Sequence, residues 1–175
     1  MNEELLDLVN EDDVVIGKET RRKIHELGLW HRGVHVFLFT SDGKMLIQKR
    51  SADRASSPFM LDCSVSEHVQ SGETYVQAAI RGMKEEMGVE NIELKKLAKF
   101  RMNYGINDNE ISELYEGIVD PNQVKFDREE IESISYLSVD ELKKLIKDSE
   151  SKFCYWFTQL LTLYWYGKGE IQILE

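Results

Sequence analysis

Glu85 and Glu86 stand side by side shortly after Arg81, and Glu73 precedes that arginine by two helical turns. On a helix, residues three and four apart are neighbours, so Gly82, Glu85 and Glu86 share one face and two of the three are carboxylates. Adjacent acids repel unless water or a cation screens them. A solvated surface tolerates such a pair at small cost. A hard divalent ion such as Mg²⁺ would use it, because that ion takes a few carboxylates, keeps several waters and bridges phosphate oxygens. It neutralises phosphate charge and lowers the pKa of a bound water, which is the chemistry of metal-assisted hydrolysis. Glu73 and Arg81 can pair across this segment; as a surface ion pair they contribute about 0–1 kcal/mol.

The charge of the whole chain agrees with a metal-mediated ligand. With a net charge of −10 and a pI near 5.0, the 175-residue protein lacks the cationic surface that a general nucleic-acid binder uses on phosphates, so a phosphorylated ligand needs a cation between it and the protein. Other carboxylates are candidate general bases: Glu110, Glu113 and Glu116, which alternation distributes over two strand faces, and Glu129 and Glu130 just before Ile131. Lys49 and Arg50 end a strand, with Arg32 and Arg54 as further cations. Such groups either grip phosphate oxygens, Arg in bidentate fashion, or simply end strands in water. Cys63 and Cys154 have no metal-type spacing and read as packed thiols in a reducing compartment.

The elements that must position these residues follow from periodicity and turn chemistry. Leu5 to Val9 and Val14 to Gly17, around Asn10-Glu11-Asp12-Asp13, predict an amino-terminal β-hairpin. Val34 to Thr40 and Lys44 to Lys49, around an Asp42-Gly43 turn, predict a second, central hairpin. Residues 51–60 read as a loop, followed by an extended Leu61 to Val65. Val76, Ala79, Ile80, Met83 and Met87 recur at helical spacing from a Thr74/Gln77 capping box to a Gly88 terminator. Strands are expected at Ile92 to Arg101, Glu110 to Val119 and Ile131 to Leu137, then a helix from a Ser138/Glu141 capping box and a last helix over about Lys152 to Tyr166, where Trp156, Phe157, Leu160 and Tyr164 suit core packing. Strands interleaved with helices on a chain of this size predict one α/β domain, an α/β/α sandwich with a mixed sheet.

The segment Glu67 to Val89 resembles the Nudix box, Gly-x5-Glu-x7-Arg-Glu-U-x-Glu-Glu-x-Gly-U with U aliphatic, at seven of nine defined positions: Glu73, Arg81, Met83, Glu85, Glu86, Gly88 and Val89. The resemblance implies a loop-helix-loop over 67–89 that holds Mg²⁺ or Mn²⁺ through Glu85 and Glu86, with Glu73 and Arg81 as site organisers. Two positions depart from it. Glu67 replaces the first glycine and could itself lend a carboxylate; Gly82 replaces the Glu after the Arg, which leaves the general base open among Glu86, Glu85, Glu110 and Glu130. Outside the box, Trp30-His31-Arg32-Gly33-Val34-His35, Gly43 to Ser51 and Asn107 to Glu113 are similar to the branch that includes type 1 isopentenyl-diphosphate isomerase. His25, His31, His68, Asp108 and Glu110 match its metal-type positions, whereas its catalytic Cys is Ser66 here, a poor group for exchanging protons with a carbocation-like intermediate.

The expectation is therefore a Nudix-type, Mg²⁺- or Mn²⁺-dependent hydrolase of phosphoanhydride bonds in nucleoside diphosphate derivatives or related diphosphates. Its metal ligands are Glu85, Glu86 and Glu67, and Arg50, Lys49 and Arg32 bind the substrate. The alternatives are an isomerase-like enzyme and a catalytically weak diphosphate-binding protein. The ligand is a small phosphorylated molecule, with neither nucleic acid nor membrane as partner. The amino terminus has no signal-peptide pattern, and Phe153 to Tyr166 is shorter than the roughly 20 residues of a membrane span, so a cytoplasmic protein is expected. The hairpin and the aromatic last helix each offer a surface for a homodimer.

Overall fold

The computed structural model describes residues 3–168 and 171–175. β1 (Leu5–Val9) and β2 (Val15–Thr20) form the expected hairpin, whose turn is closed by the Asn10 side chain accepting from the amides of Asp12 and Val14. A short helix the sequence reading missed, α1 (Arg21–Leu27), follows directly and ends on Gly28 in the left-handed conformation. Only Ile24 of this helix is buried, so there is no apolar period to read.

β3 (His31–Phe39) and β4 (Met45–Arg50) flank the Asp42-Gly43 turn, but they pair only at Phe39 and Met45 and then diverge. The expected single strand from Leu61 is accordingly two, β5 (Leu61–Asp62) on β4 and β6 (Val65–His68) on β3. Ser64 sits in the fork, fully buried. Its Oγ accepts from the Leu38 amide at 2.8 Å and donates to the Leu46 carbonyl at 2.7 Å, in place of the ladder bonds the two strands no longer exchange.

α2 (Tyr75–Met87) carries the capping box at Thr74 and Gln77 and ends on Gly88. Its inward face is Tyr75, Ala78, Ala79, Gly82, Met83, Glu86 and Met87, so the helix is turned relative to the apolar stripe: Val76 and Ile80 are 41% and 49% exposed. β7 (Lys95–Gly105) and β8 (Asp108–Ile118) form a long antiparallel pair, and β8 runs parallel to β3 along its whole length, which makes the sheet mixed. β9 (Ile131–Leu137) has the bounds read from the sequence and pairs with β4; α3 (Val139–Ser149) begins at its capping box, α4 spans Tyr155–Tyr166, and β10 (Gln172–Ile173), not anticipated, adds to β7.

Two apolar layers cover the sheet. Val34, Val36, Leu38 and Val65 pack against Ala78, Ala79, Met83 and Met87 of α2, while Phe37, Ile47, Phe100 and Leu114 pack against Phe157, Leu160 and Leu161 of α4 and Leu142 of α3. Each fully buried side chain of this size contributes about 1.5–3 kcal/mol. This is the expected α/β/α sandwich. Among the described residues no helix is long and apolar enough to cross a membrane.

Candidate active site

A cleft of about 760 Å³ opens beside α1, the box loop, the 51–60 loop and the start of β8. Two groups of metal-type side chains occur in and around it. The first is His25 from α1, His31 at the start of β3, His68 at the end of β6, and Asp108 and Glu110 at the start of β8. The sheet register assembles it: Glu110 lies opposite His31 on the parallel pair, and His68 opposite Gly33 on the antiparallel one. The ligand atoms of His25, His31 and His68 all lie within 4.8 Å of one another, as do those of His31, Asp108 and Glu110. His31 Nε2 is 3.5 Å from Glu110 Oε1, His68 Nε2 is 3.8 Å from the same oxygen, and His25 Nδ1 is 3.3 Å from Asp108 Oδ1.

The donors fit a cation. His31 Nε2 and Asp108 Oδ1 are buried without a hydrogen-bond partner, an expensive arrangement unless an ion completes it. The Leu29 carbonyl, 3.1 Å from His31 Nδ1, holds that ring with Nε2 inward. Burial alone pulls the His31 pKa down, but Glu110, Leu29 and Asp108 outweigh it and leave it raised. Burial, with Arg21, His31 and His25 nearby, pushes His68 well below the ordinary histidine range and so keeps it neutral, the form that ligates metal. Gly33 makes room: a Cβ there would lie 1.9 Å from Glu110 Oε2.

The second group lies on the box. Glu86 is only 3% exposed. It accepts from Gln48 Nε2 at 2.7 Å and from the Ser66 amide at 3.4 Å, and burial together with the Glu67 charge raises its pKa well above the carboxylate range. Glu67 is raised by burial too, against the opposing Arg81. A buried carboxyl group whose charge is disfavoured by a partly buried carboxylate beside it suits a divalent cation. Arg81 ties the loop together, donating to Glu73 at 2.9 Å, Glu67 at 3.2 Å, Glu85 at 3.1 Å and the His68 carbonyl at 2.8 Å. Glu85 stands on the cleft rim with its side chain 58% exposed, held by Arg81, so the two adjacent acids have different surroundings.

Other expected site residues divide by strand alternation. Arg50 faces the cleft, donating to Asp62 Oδ2 at 3.1 Å and the Ser56 carbonyl at 3.0 Å, whereas its neighbour Lys49 points out to Glu132 at 2.9 Å and does not line the cleft. Arg32 is likewise not a cleft residue. His31 faces the histidine cluster, so Arg32 lies on the opposite face, bound to Asp13 at 2.6 Å and over the Tyr75 ring. Glu130 lines the cleft in an ion pair with Arg54. Glu113 is a buried partner of Lys96 and Tyr115, and Glu116 pairs with Lys95, both away from the cleft. Cys63 and Cys154 are buried, and burial holds both thiols protonated. Sequence reasoning missed Arg21, Arg22, His35, Tyr104 and Trp156 as cleft residues. Trp156, read as core, turns its Nε1 to Asp62 at 2.8 Å.

Residues 29–157 match the NUDIX domain. The chain belongs to the Nudix family. This Nudix protein is 29% identical to the isopentenyl-diphosphate Δ-isomerase of Serratia proteamaculans over 163 residues, which cover 91% of this chain and 90% of that protein. It is 28% identical over 156 residues to an uncharacterised Nudix hydrolase of Clostridium acetobutylicum, with 83% of this chain and 75% of that protein covered. A crystal structure from Deinococcus radiodurans superposes with a TM-score of 0.76 at 30% identity, covering 93% of this chain and 99% of that one. The chain is thus an enzyme of the Nudix class near the isomerase branch.

Proposed function

We propose that this protein is a divalent-metal-dependent hydrolase of phosphoanhydride bonds in a nucleoside diphosphate derivative or a related small diphosphate. The observation that carries the reading is the carboxyl pair of buried Glu86 and partly buried Glu67 on the box, beside a cluster of histidines and carboxylates with orphaned polar atoms. The oxygen-only pair suits Mg²⁺; the mixed imidazole and carboxylate set suits Mn²⁺ or Zn²⁺. A bound cation would neutralise the diphosphate and polarise the phosphorus under attack. Arg21, Arg22 and Arg54 lie along the cleft, each already held by a carboxylate, and can exchange that carboxylate for a phosphate oxygen. Arg81 and Glu73 hold the box loop so that Glu67 and Glu86 keep their places. On α2, position 82 is Gly, Glu85 is tied to Arg81, and Glu86 already accepts from Gln48 and the Ser66 amide, so none of these three positions offers an unengaged carboxylate for the proton of the attacking oxygen.

The test is turnover of a panel of nucleoside diphosphate sugars, nucleoside di- and triphosphates, ADP-ribose and isopentenyl diphosphate with Mg²⁺ or Mn²⁺, reading phosphate release and isomer formation. Metal-dependent release that Glu86→Gln abolishes, with the fold intact, supports the hydrolase; unchanged turnover in that variant overturns it. Metal-dependent binding without turnover supports a diphosphate-binding protein instead.

One observation favours the isomerase as a second reading: His25, His31, His68, Asp108 and Glu110, the five positions matched to that branch, do assemble. Ser66 opposes it, as neither buried cysteine can replace the missing thiol. Under this reading Ser66→Cys produces isomer from isopentenyl diphosphate where the wild type does not.

A further inference from the structure

Gln48 sits in the middle of β4, 3% exposed, with Asp62 of β5 paired to it on one side and Ile134 of β9 on the other. Alternation turns it, with Leu46, towards the apolar layer under α2. A glutamine there has given up water, so its amide must be satisfied within the protein. Its Nε2 donates to the Ser64 carbonyl at 3.3 Å and to Glu86 Oε2 at 2.7 Å. Both partners accept, which fixes the amide nitrogen on that side. Ser64 is itself held, because its hydroxyl bridges β3 and β4 in the fork. The two oxygens of Glu86 are therefore unequal. Oε2 is tied to the sheet by Gln48, while Oε1 lies 3.4 Å from the amide of Ser66, whose neighbour Glu67 lines the cleft.

Small and large divalent ions ask different things of a carboxylate. Mg²⁺ demands octahedral geometry and keeps several waters beside one or two carboxylates, whereas Ca²⁺ gathers about six to eight oxygens and readily takes both from one carboxylate. Resting on the reading of Glu67 and Glu86 as the metal-binding pair of the box, we propose that Gln48 selects the cation. By engaging Oε2 it leaves Glu86 a single ligating oxygen, Oε1, which favours Mg²⁺ or Mn²⁺ over Ca²⁺. Gln48 is a positioning residue: it acts on the cation through Glu86, as the outer partners of metal ligands do. Its place in the fold suits that task. A partner on a loop would yield when a larger ion drew Glu86 round, but Gln48 is flanked by paired strands and pinned to Ser64, so it resists.

The test needs no turnover. Mg²⁺ and Ca²⁺ are titrated into the metal-free full chain by calorimetry, and the binding that Glu86→Gln loses identifies the box site. In Gln48→Met, similar in volume but without the donor, the preference for Mg²⁺ over Ca²⁺ at that site falls by about tenfold or more. Gln48→Thr, too short to reach Glu86, does the same. A general loosening of the site weakens both ions alike, so the ratio of the two dissociation constants separates selection from mere support. An unchanged ratio in either folded variant overturns the proposal. Failure of both variants to fold overturns it too, since the glutamine is then only structural. The two readings fail separately. Binding of Mg²⁺ that depends on Glu86 with a ratio indifferent to Gln48 sinks the selection alone; a wild type in which neither ion's binding depends on Glu86 sinks the metal pair, and the selection with it.

Discussion

Gly82 and Glu67, the two departures from the box, are one compensated change. A Cβ on residue 82 would lie 2.7 Å from both Glu67 Cγ and Val65 Cγ1, so the Glu67 stem fills the space in which a side chain from α2 would begin. Glu67 thus brings a carboxyl group from β6 to the face that the box supplies from the helix. Gly82→Ala should gain about 1 kcal/mol of helix propensity and lose more than that to overpacking, which typically costs about 1–3 kcal/mol. The expected net result is a lower urea midpoint. In a Glu67→Gly background the same substitution should cost less, because the Glu67 contact is gone while that to Val65 remains; strictly additive effects of the two changes would sink the compensation argument. The sequence marked Glu85 and Glu86 as equals, and the difference between them, one buried and one on the rim, is set by which face of α2 meets β6.

At the scale of elements, the fork between β3 and β4 shapes the site. By diverging after one residue pair, β3 frees its edge for β6, and that pairing brings Ser66 opposite His35 and His68 opposite Gly33. Ser64 holds the fork. Ser64→Ala would leave the buried Leu38 amide and Leu46 carbonyl without their partner, a loss of about 1–3 kcal/mol for each such group. A chemical-denaturation midpoint unchanged in Ser64→Ala would show that the strands can close the fork without it. α2 and α3 were legible because capping boxes and Gly88 punctuate them. α1 was not, although Gly28 was a usable stop signal, and with it went Arg21, Arg22 and the context of His25. An Asp-Gly turn predicts that two strands meet; it does not say how far they stay together.

For the molecule as a whole, the acidic cleft links stability to pH and cations. Burial and the Glu67 charge raise the Glu86 carboxyl well above its ordinary 4.5. As pH rises past that ordinary value the unfolded chain gives up this proton first, the native state holds more protons, and stability falls until pH passes the folded value. Glu86→Gln cannot ionise. In metal-free buffer near neutral pH it should melt above wild type by at least about 2–4 °C, the span that about 1 kcal/mol moves a chain of this size, and the gap should close at about pH 4. Mg²⁺ or Mn²⁺ should raise the wild-type Tm and narrow the gap, since a ligand that binds only the native state stabilises it. A gap that is flat with pH would remove the buried charge from the account. By itself the sequence determined the sandwich, the box helix with its caps and the acidic character of the candidate site, because period, turn residues and net charge are local or additive properties of the chain. Only the tertiary structure decided that His25, His31, His68, Asp108 and Glu110 converge, that Lys49 and Arg32 turn away, and that His35 meets Ser66. Those outcomes depend on strand register, where a shift of one residue sends a side chain to the opposite face, and register is set by pairings between segments far apart in the chain.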